Sequence, residues 1–475
     1  MLFAGACGVL SLVSVTAATP GRPPNILLIV ADDLGYGELG SYGQQRIATP
    51  ELDRLASEGM RFTQFYAGSA VCAPSRSVLM TGKHVGHTTV RGNSPVPNFP
   101  GQQLQSSDVT TAALLKRAGY RTGLIGKWGL GDGASSGAPW KQGFDEFFGF
   151  LSQTHAHNHF PDHLWRNDQK VRLGNDLVPM GKVAGVGYAT QPREYANDLF
   201  FAEAERFIER SKEAPFFLYL ALTLPHANNE RAEALGDGQE VPDYGPYAKE
   251  TWPDSLKGQA AMITRMDSGI GKLLQRLREL GLERDTVVMF TSDNGPHNEG
   301  GKDYDPEFFD ANGPWSGLKR NLTEGGIRVP YIVRWPAIVA GGAVSASVGH
   351  FADLLPTCAE LAGVESLRDS DGVSLVPAYR GAPEAAQARE HLYWELYEPA
   401  FQQAVLLEGR WKALRGQPGK AAVELYDLAN DPGETHDVSE ANPALVERCL
   451  RLMDESHVPN EWWQAPRNRK VPAGS

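Results

Sequence analysis

Asn25-Ile26-Leu27-Leu28-Ile29-Val30-Ala31 runs straight into Asp32-Asp33. Six apolar side chains in succession, with no polar residue alternating between them, mark a strand buried on both faces, as in a parallel sheet covered on each side by helices. The pattern recurs along the chain. Residues 122–126 lead into Lys127, residues 216–222 lead toward His226, and residues 286–291 lead into Asp293-Asn294. Between these runs lie stretches with helical spacing, at residues 50–59, 110–118, 195–211 and 255–280. The alternation predicts an α/β fold with a doubly wound, mainly parallel sheet and helices on both faces. Ligands of such sheets gather beyond the carboxyl ends of the strands, where all four polar clusters fall.

Residues 351–362 read as the last helix of this layer. From about residue 390 the texture changes to short strand-like pieces at 403–408, 411–414 and 423–426, followed by the turn-rich Asn430-Asp431-Pro432-Gly433-Glu434. The expected division is a leader at 1–18, a catalytic domain at 24–389, and a small antiparallel subdomain with a tail at 390–475. A chain of 475 residues exceeds one ordinary core, and 41% hydrophobic with 21% charged residues is normal globular composition. The net charge of −12 argues against a nucleic-acid partner, so an anionic substrate requires locally clustered cations.

Residues 1–18 carry no charge, and Val15-Thr16-Ala17 places small residues where a signal peptidase reads. Export to the periplasm or the medium is expected, although the basic start of a signal peptide is missing. No stable membrane span is expected, because the run is rich in Gly and Ser and barely reaches the ~18 residues a span needs. Of the four cysteines, Cys7 lies in the leader; Cys358 and Cys449 form a disulfide or stay as two buried thiols.

The remaining cysteine opens Cys72-Ala73-Pro74-Ser75-Arg76, with Thr81-Gly82 at a fixed distance beyond. The stretch resembles the maturation signature of type I sulfatases of the alkaline-phosphatase-like superfamily, in which the cysteine is oxidised to Cα-formylglycine by a formylglycine-generating or radical maturase. A hydrated aldehyde suits sulfate ester hydrolysis: one hydroxyl attacks sulfur, and the other collapses to expel sulfate without a second displacement. If a helix begins at the motif, Arg76 falls on the same face as Cys72.

Asp32-Asp33 with Asp293-Asn294 supplies oxygen ligands of the kind that suit a hard cation. The resemblance implies that Asp32, Asp33, Asp293 and Asn294 bind Ca²⁺, with Mg²⁺ as the alternative, and that residue 72 completes the shell. It further implies that Arg76 orients the diol, that Lys127 binds sulfate, and that His226 and Lys319 bind sulfate and assist departure of the alcohol. Arg328 fits the family pattern as scaffold. One departure stands out: many sulfatases read Gly-Lys-Trp-His-Leu-Gly, with the histidine as base for sulfate release, whereas position 129 is glycine here. In His155-Ala156-His157-Asn158-His159, His155 and His157 are the expected substrate-facing residues; a His-rich surface loop is the other reading.

The resemblance implies a sulfatase acting on a sulfated carbohydrate, with a generic arylsulfatase as the alternative. A phosphate or phosphonate ester hydrolase of the same superfamily would favour acid or histidine where Asn294 stands. A sulfated-glycan binding protein without turnover is the third reading, prompted by Gly129.

Overall fold

The computed structural model describes residues 22–93, 100–382, 389–417, 420 and 422–463. The leader and Cys7 lie outside the described residues. The main sheet has ten strands: β1 (Asn25–Asp32), β2 (Met60–Phe62), β3 (Arg121–Lys127), β4 (Glu146–Phe150), β5 (His163–Arg166), β6 (Gln169–Arg172), β7 (Phe216–Pro225), β8 (Thr286–Ser292), β9 (Tyr331–Arg334) and β10 (Ala343–Ser345). Their order is β10-β2-β9-β8-β1-β7-β3-β4-β5-β6. Neighbours β8, β1, β7, β3 and β4 all run parallel, while β9 and β5 turn antiparallel at the two flanks.

Seven helices matter to the argument: α1 (Pro50–Glu58), α2 (Cys72–Thr81), α3 (Thr111–Arg117), α4 (Ala196–Ser211), α5 (Asp254–Glu279), α6 (Leu354–Leu361) and α7 (Pro443–Ser456). Every residue of β1 is buried, and its side chains alternate between two cores as the period of a strand demands. Ile26, Leu28 and Val30 join Val78 of α2, Leu115 of α3 and Leu355 of α6. Leu27, Ile29 and Ala31 join Leu52 of α1, Phe207 of α4 and Ile263 of α5. Each fully buried aliphatic side chain contributes about 1.5–3 kcal/mol, so a charge at Leu28 would break the sheet at its centre.

The C-terminal sheet consists of β11 (His391–Leu396), β12 (Gln402–Leu407), β13 (Trp411–Arg415) and β14 (Val423–Asp427), antiparallel and in chain order. One face, with Leu392, Trp394, Leu406 and Leu414, is continuous with the main core. The other, with Tyr393, Val405 and Leu425, lies under Leu452 and Met453 of α7. A buried ion pair ties this sheet to the segment just before Arg328: Lys412 Nζ is 2.9 Å from Glu324 Oε1, and both side chains are fully buried. Cys358 and Cys449 are free, buried thiols in separate cores. Among the described residues no helix is long and apolar enough to cross a membrane.

Candidate active site

The Cys72 motif is one helix with both of its ends. Val71, extended at φ −146° and ψ 154°, precedes Cys72, the first residue of α2. Pro74 sits in the first turn, where a missing N–H costs nothing. Gly82 closes the helix in the left-handed conformation at φ 67°, its N–H donating to Val78 O. Thr81 Oγ1 donates to Ser77 O. All ten residues of α2 are buried, and the positive end of the helix meets the polar cluster.

The parallel strands bring their carboxyl ends to the same edge. β1 delivers Asp32 and Asp33, β3 ends at Lys127, β7 stops just short of His226, and β8 stops just short of Asp293 and Asn294. Gly126, at φ +111°, lets β3 lie close to β7, since a Cβ there would come within 1.8 Å of Ala221 O. Cys72 Sγ is 3.3 Å from Asp32 Oδ1 and 3.9 Å from Asp33 Oδ1. Arg76 donates to Asp293 Oδ2 from Nε and Nη2, at 2.9 and 2.7 Å. Lys127 Nζ donates to Asp32 Oδ2 at 2.7 Å. Lys319 Nζ lies 2.9 Å from Asp33 Oδ2 and 3.2 Å from His226 Nε2. Eight of the expected residues thus form one contact network, and Asn294 joins it by donating from Nδ2 to Asp33 Oδ1 at 2.7 Å.

The electrostatics follow from three carboxylates facing three cations out of water. Burial works to raise Asp32, but the charges of Lys127 and Arg76 outweigh it and hold its carboxyl well below the usual range. Burial, then the charges of Asp293 and Asp32, push the Cys72 thiol well up. Burial and the neighbouring Lys319 hold His226 neutral, well below the ordinary imidazole value. His226 Nδ1 faces Ala227 O at 2.6 Å; a neutral ring therefore carries its proton there and turns the Nε2 lone pair toward Lys319.

Asp32, Asp33, Cys72 and His226 offer metal-ligand atoms all within 4.8 Å of one another. Asp293 stands back from that group, with Oδ2 held by Arg76 and Oδ1 accepting from the Asp33 N–H at 3.1 Å. Asn294 Oδ1 is buried without a hydrogen-bond partner.

The two expected histidines separate. The ring of His157 stacks on His226 at 4.8 Å and 14°, and its Nδ1 lies 3.3 Å from Glu230 Oε2. His155 is not brought to this cluster; it packs instead against Phe150 and His163, at 4.8 and 4.4 Å. The two belong to one 3₁₀ turn, in which residues two apart leave the axis in different directions. Gly129 has φ +74°, and a Cβ there would meet Gln153 Nε2 at 2.2 Å. Arg328 pairs with Glu324 at 3.0 Å and lies over the Trp315 ring at 3.8 Å.

Sequence reasoning missed Glu299, which holds Lys319 Nζ at 2.9 Å and pairs with Arg320. It missed Glu230 as well; His159, part of the quoted histidine cluster but not singled out, places its Nε2 2.7 Å from His226 O. Neither Glu299 nor Glu230 sits in a local pattern, and only the fold brings them to their partners.

The sulfatase family model matches residues 24–364. A second, of the C-terminal part of N-sulphoglucosamine sulphohydrolase, matches residues 315–454. N-acetylgalactosamine-6-sulfatase of Rattus norvegicus is 34% identical over 391 residues, 78% of this chain and 68% of that protein. Arylsulfatase A of Homo sapiens is 31% identical over 493 residues, 94% of this chain and 90% of that one. Among solved structures, Ps i-CgsB in complex with k-i-k-neocarrahexaose is 27% identical with a TM-score of 0.76, covering 94% of this chain and 96% of that one. With the family model spanning most of its length, the chain belongs to the sulfatase family and is a hydrolase of sulfate esters.

Proposed function

We propose that the enzyme removes sulfate from a sulfated carbohydrate, acting from the chain end, with a nucleophile made from Cys72 and a divalent cation beside it. The observation that carries the reading is Cys72 Sγ at the first position of α2, within 3.3 Å of Asp32 and in one network with Arg76, Lys127 and Lys319. The carbohydrate class is supported by the relatives, named for N-acetylgalactosamine 6-sulfate and crystallised with a neocarrahexaose.

The donor set fits a hard cation: Asp32, Asp33, Asp293 and Asn294 present oxygens, and Asn294 Oδ1 is buried with no other partner. Ca²⁺ or Mg²⁺ held there would draw charge from the sulfate oxygens. Cα-formylglycine at residue 72 would supply the hydrate nucleophile. This chain's own residues do the rest. Arg76 fixes Asp293 and the helix turn below residue 72. Lys127 and Lys319 hold the sulfate oxygens as localised charges that bulk solvent does not screen. Lys319 passes its proton to the departing oxygen, with His226 Nε2 as the adjacent acceptor. The base absent at Gly129 is replaced by His157, which Glu230 orients against the face of His226. The reaction takes place outside the cytoplasm, after a maturase has acted.

The test is mass analysis of the Cys72 peptide from native-host protein. The expected peptide is ~18 Da lighter than the thiol form, and the protein carrying it releases sulfate from sulfated sugars with higher kcat/KM than from 4-nitrophenyl sulfate. Unmodified Cys72 in active protein overturns the nucleophile, and a preference for the aryl ester overturns the substrate class.

A further inference from the structure

Along the same edge of the sheet lies a second cavity, of about 550 Å³, that sulfate chemistry does not use. It is lined by Asp132 beyond β3, by Leu151 and His155 beyond β4, by His163 and Trp165 of β5, and by Lys170 of β6. Two short stretches of chain join it to the sulfate site. Asp132 is five residues past Lys127, and His155 is two residues before His157, whose ring stacks on His226. Two residues reach at most about 7 Å, so the backbone of a single turn, with His155 on one side and His157 on the other, separates the cavity from the sulfate site.

The lining has the chemistry of a sugar-ring site and lacks that of a second sulfate site. Trp165 is half-buried and presents an indole to the cavity, with Lys170 Nζ 5.3 Å from its ring centre. The C–H face of a pyranose packs on such a ring, because both are flat and apolar with polar edges. Asp132 and Asp168 outnumber the single cation Lys170, whereas the sulfate site sets Arg76, Lys127 and Lys319 around residue 72. His163 fixes its Nδ1 on Asp162 at 2.6 Å, leaving Nε2 for a ligand. His155, 2% exposed, closes the inner end of the cavity with its ring packed against Gly185, where a Cβ would come within 2.3 Å of Nε2. A volume of this size lies within the range of small-ligand pockets, about 300–1,000 Å³.

We propose that this groove binds an unsulfated sugar ring linked to the ring that carries the scissile sulfate. The inference rests on the carbohydrate reading given above. It makes Trp165 the platform of a neighbouring subsite, with Asp132 and Lys170 contacting hydroxyls.

The experiment measures kcat/KM of the matured enzyme and of Trp165→Ala on three probes: 4-nitrophenyl sulfate, N-acetylgalactosamine 6-sulfate, and a disaccharide ending in that sugar. In the wild type the disaccharide is expected to exceed the monosaccharide at least tenfold. In Trp165→Ala the ratio of disaccharide to aryl sulfate is expected to fall at least tenfold, carried by KM. Should Trp165→Ala fail to fold, Lys170→Ala, at an exposed position, is expected to lower the same ratio at least threefold. Equal constants for mono- and disaccharide in the wild type, or an unchanged ratio in the variants, overturn the groove alone. Turnover of the aryl ester with none of either sugar removes the substrate reading, and the groove with it.

Discussion

Arg76 stands one helical turn beyond Cys72 and closes both Nε and Nη2 on a single oxygen of Asp293, at 2.9 and 2.7 Å. The pair is fully buried, so it joins α2 to the end of β8 as well as charging the site. Arg76→Met leaves Asp293 buried and uncompensated, a loss of about 3–5 kcal/mol. Urea unfolding of the metal-free protein checks this, and a change under 1 kcal/mol would show the pair to be dispensable.

Removal of the cation with EDTA is expected to abolish turnover, with recovery on adding Ca²⁺. Asn294→Ala, which deletes the unpartnered Oδ1, is expected to raise the Ca²⁺ concentration for half recovery by about 10–100-fold. Recovery at the wild-type concentration would remove Asn294 from the ligand set.

Gly129 and Gln153 should behave as a coupled pair. Gly129→His places a side chain at φ +74° against the Gln153 amide, costing about 1–2 kcal/mol for the backbone alone and more for the clash. Adding Gln153→Ala is expected to restore the clash part and leave the backbone part. Strict additivity of the two substitutions in thermal unfolding would falsify this account.

Acid stability should depend on Glu203, which faces Arg166, Arg206 and Arg210 at 2.8–3.0 Å. Burial would raise its carboxyl, but the three guanidinium groups outweigh it and bring the pKa down from 4.5 to about 2. A depressed carboxylate stabilises the fold in full above its unfolded value, and that stability is lost as the pH falls from about 4.5 toward 2. Glu203→Gln is expected to cost roughly 1–3 kcal/mol at pH 7 and to flatten the stability profile over that window. A profile parallel to the wild type would count against the assignment.

The centre of the fold was legible in the sequence because β1, β3, β7 and β8 are covered on both faces, and full burial writes an uninterrupted apolar run. The flanks were not. β5 and β9 are four residues each, too short to show a period. α7 buries only Cys449, Leu452, Met453 and Ser456, which leaves little apolar signal among its charges. The site was legible where a residue ends a strand or follows it directly, as with Asp32, Lys127, His226 and Asp293. Glu299, in a loop, and Glu230, on the short helix Asn229–Leu235, escaped because only proximity in the fold to Lys319 and His157 selects them. His155 and His157 looked equivalent in sequence, and a 3₁₀ turn divides them between two cavities.

Cys72 is 2% exposed, and the network around it joins strand ends up to 261 residues apart in the chain, as in the contact of Asp33 with Asn294. That burial imposes a sequence in time. No second protein can grip the 72–82 segment once the helix has docked and the strand ends have met over it. On the proposed maturation, conversion of the thiol would belong to the nascent or unfolded chain, and folding would then seal the product in. A molecule that folded first would keep the thiol, so under the proposed nucleophile the active fraction of a preparation would record a race between folding and modification.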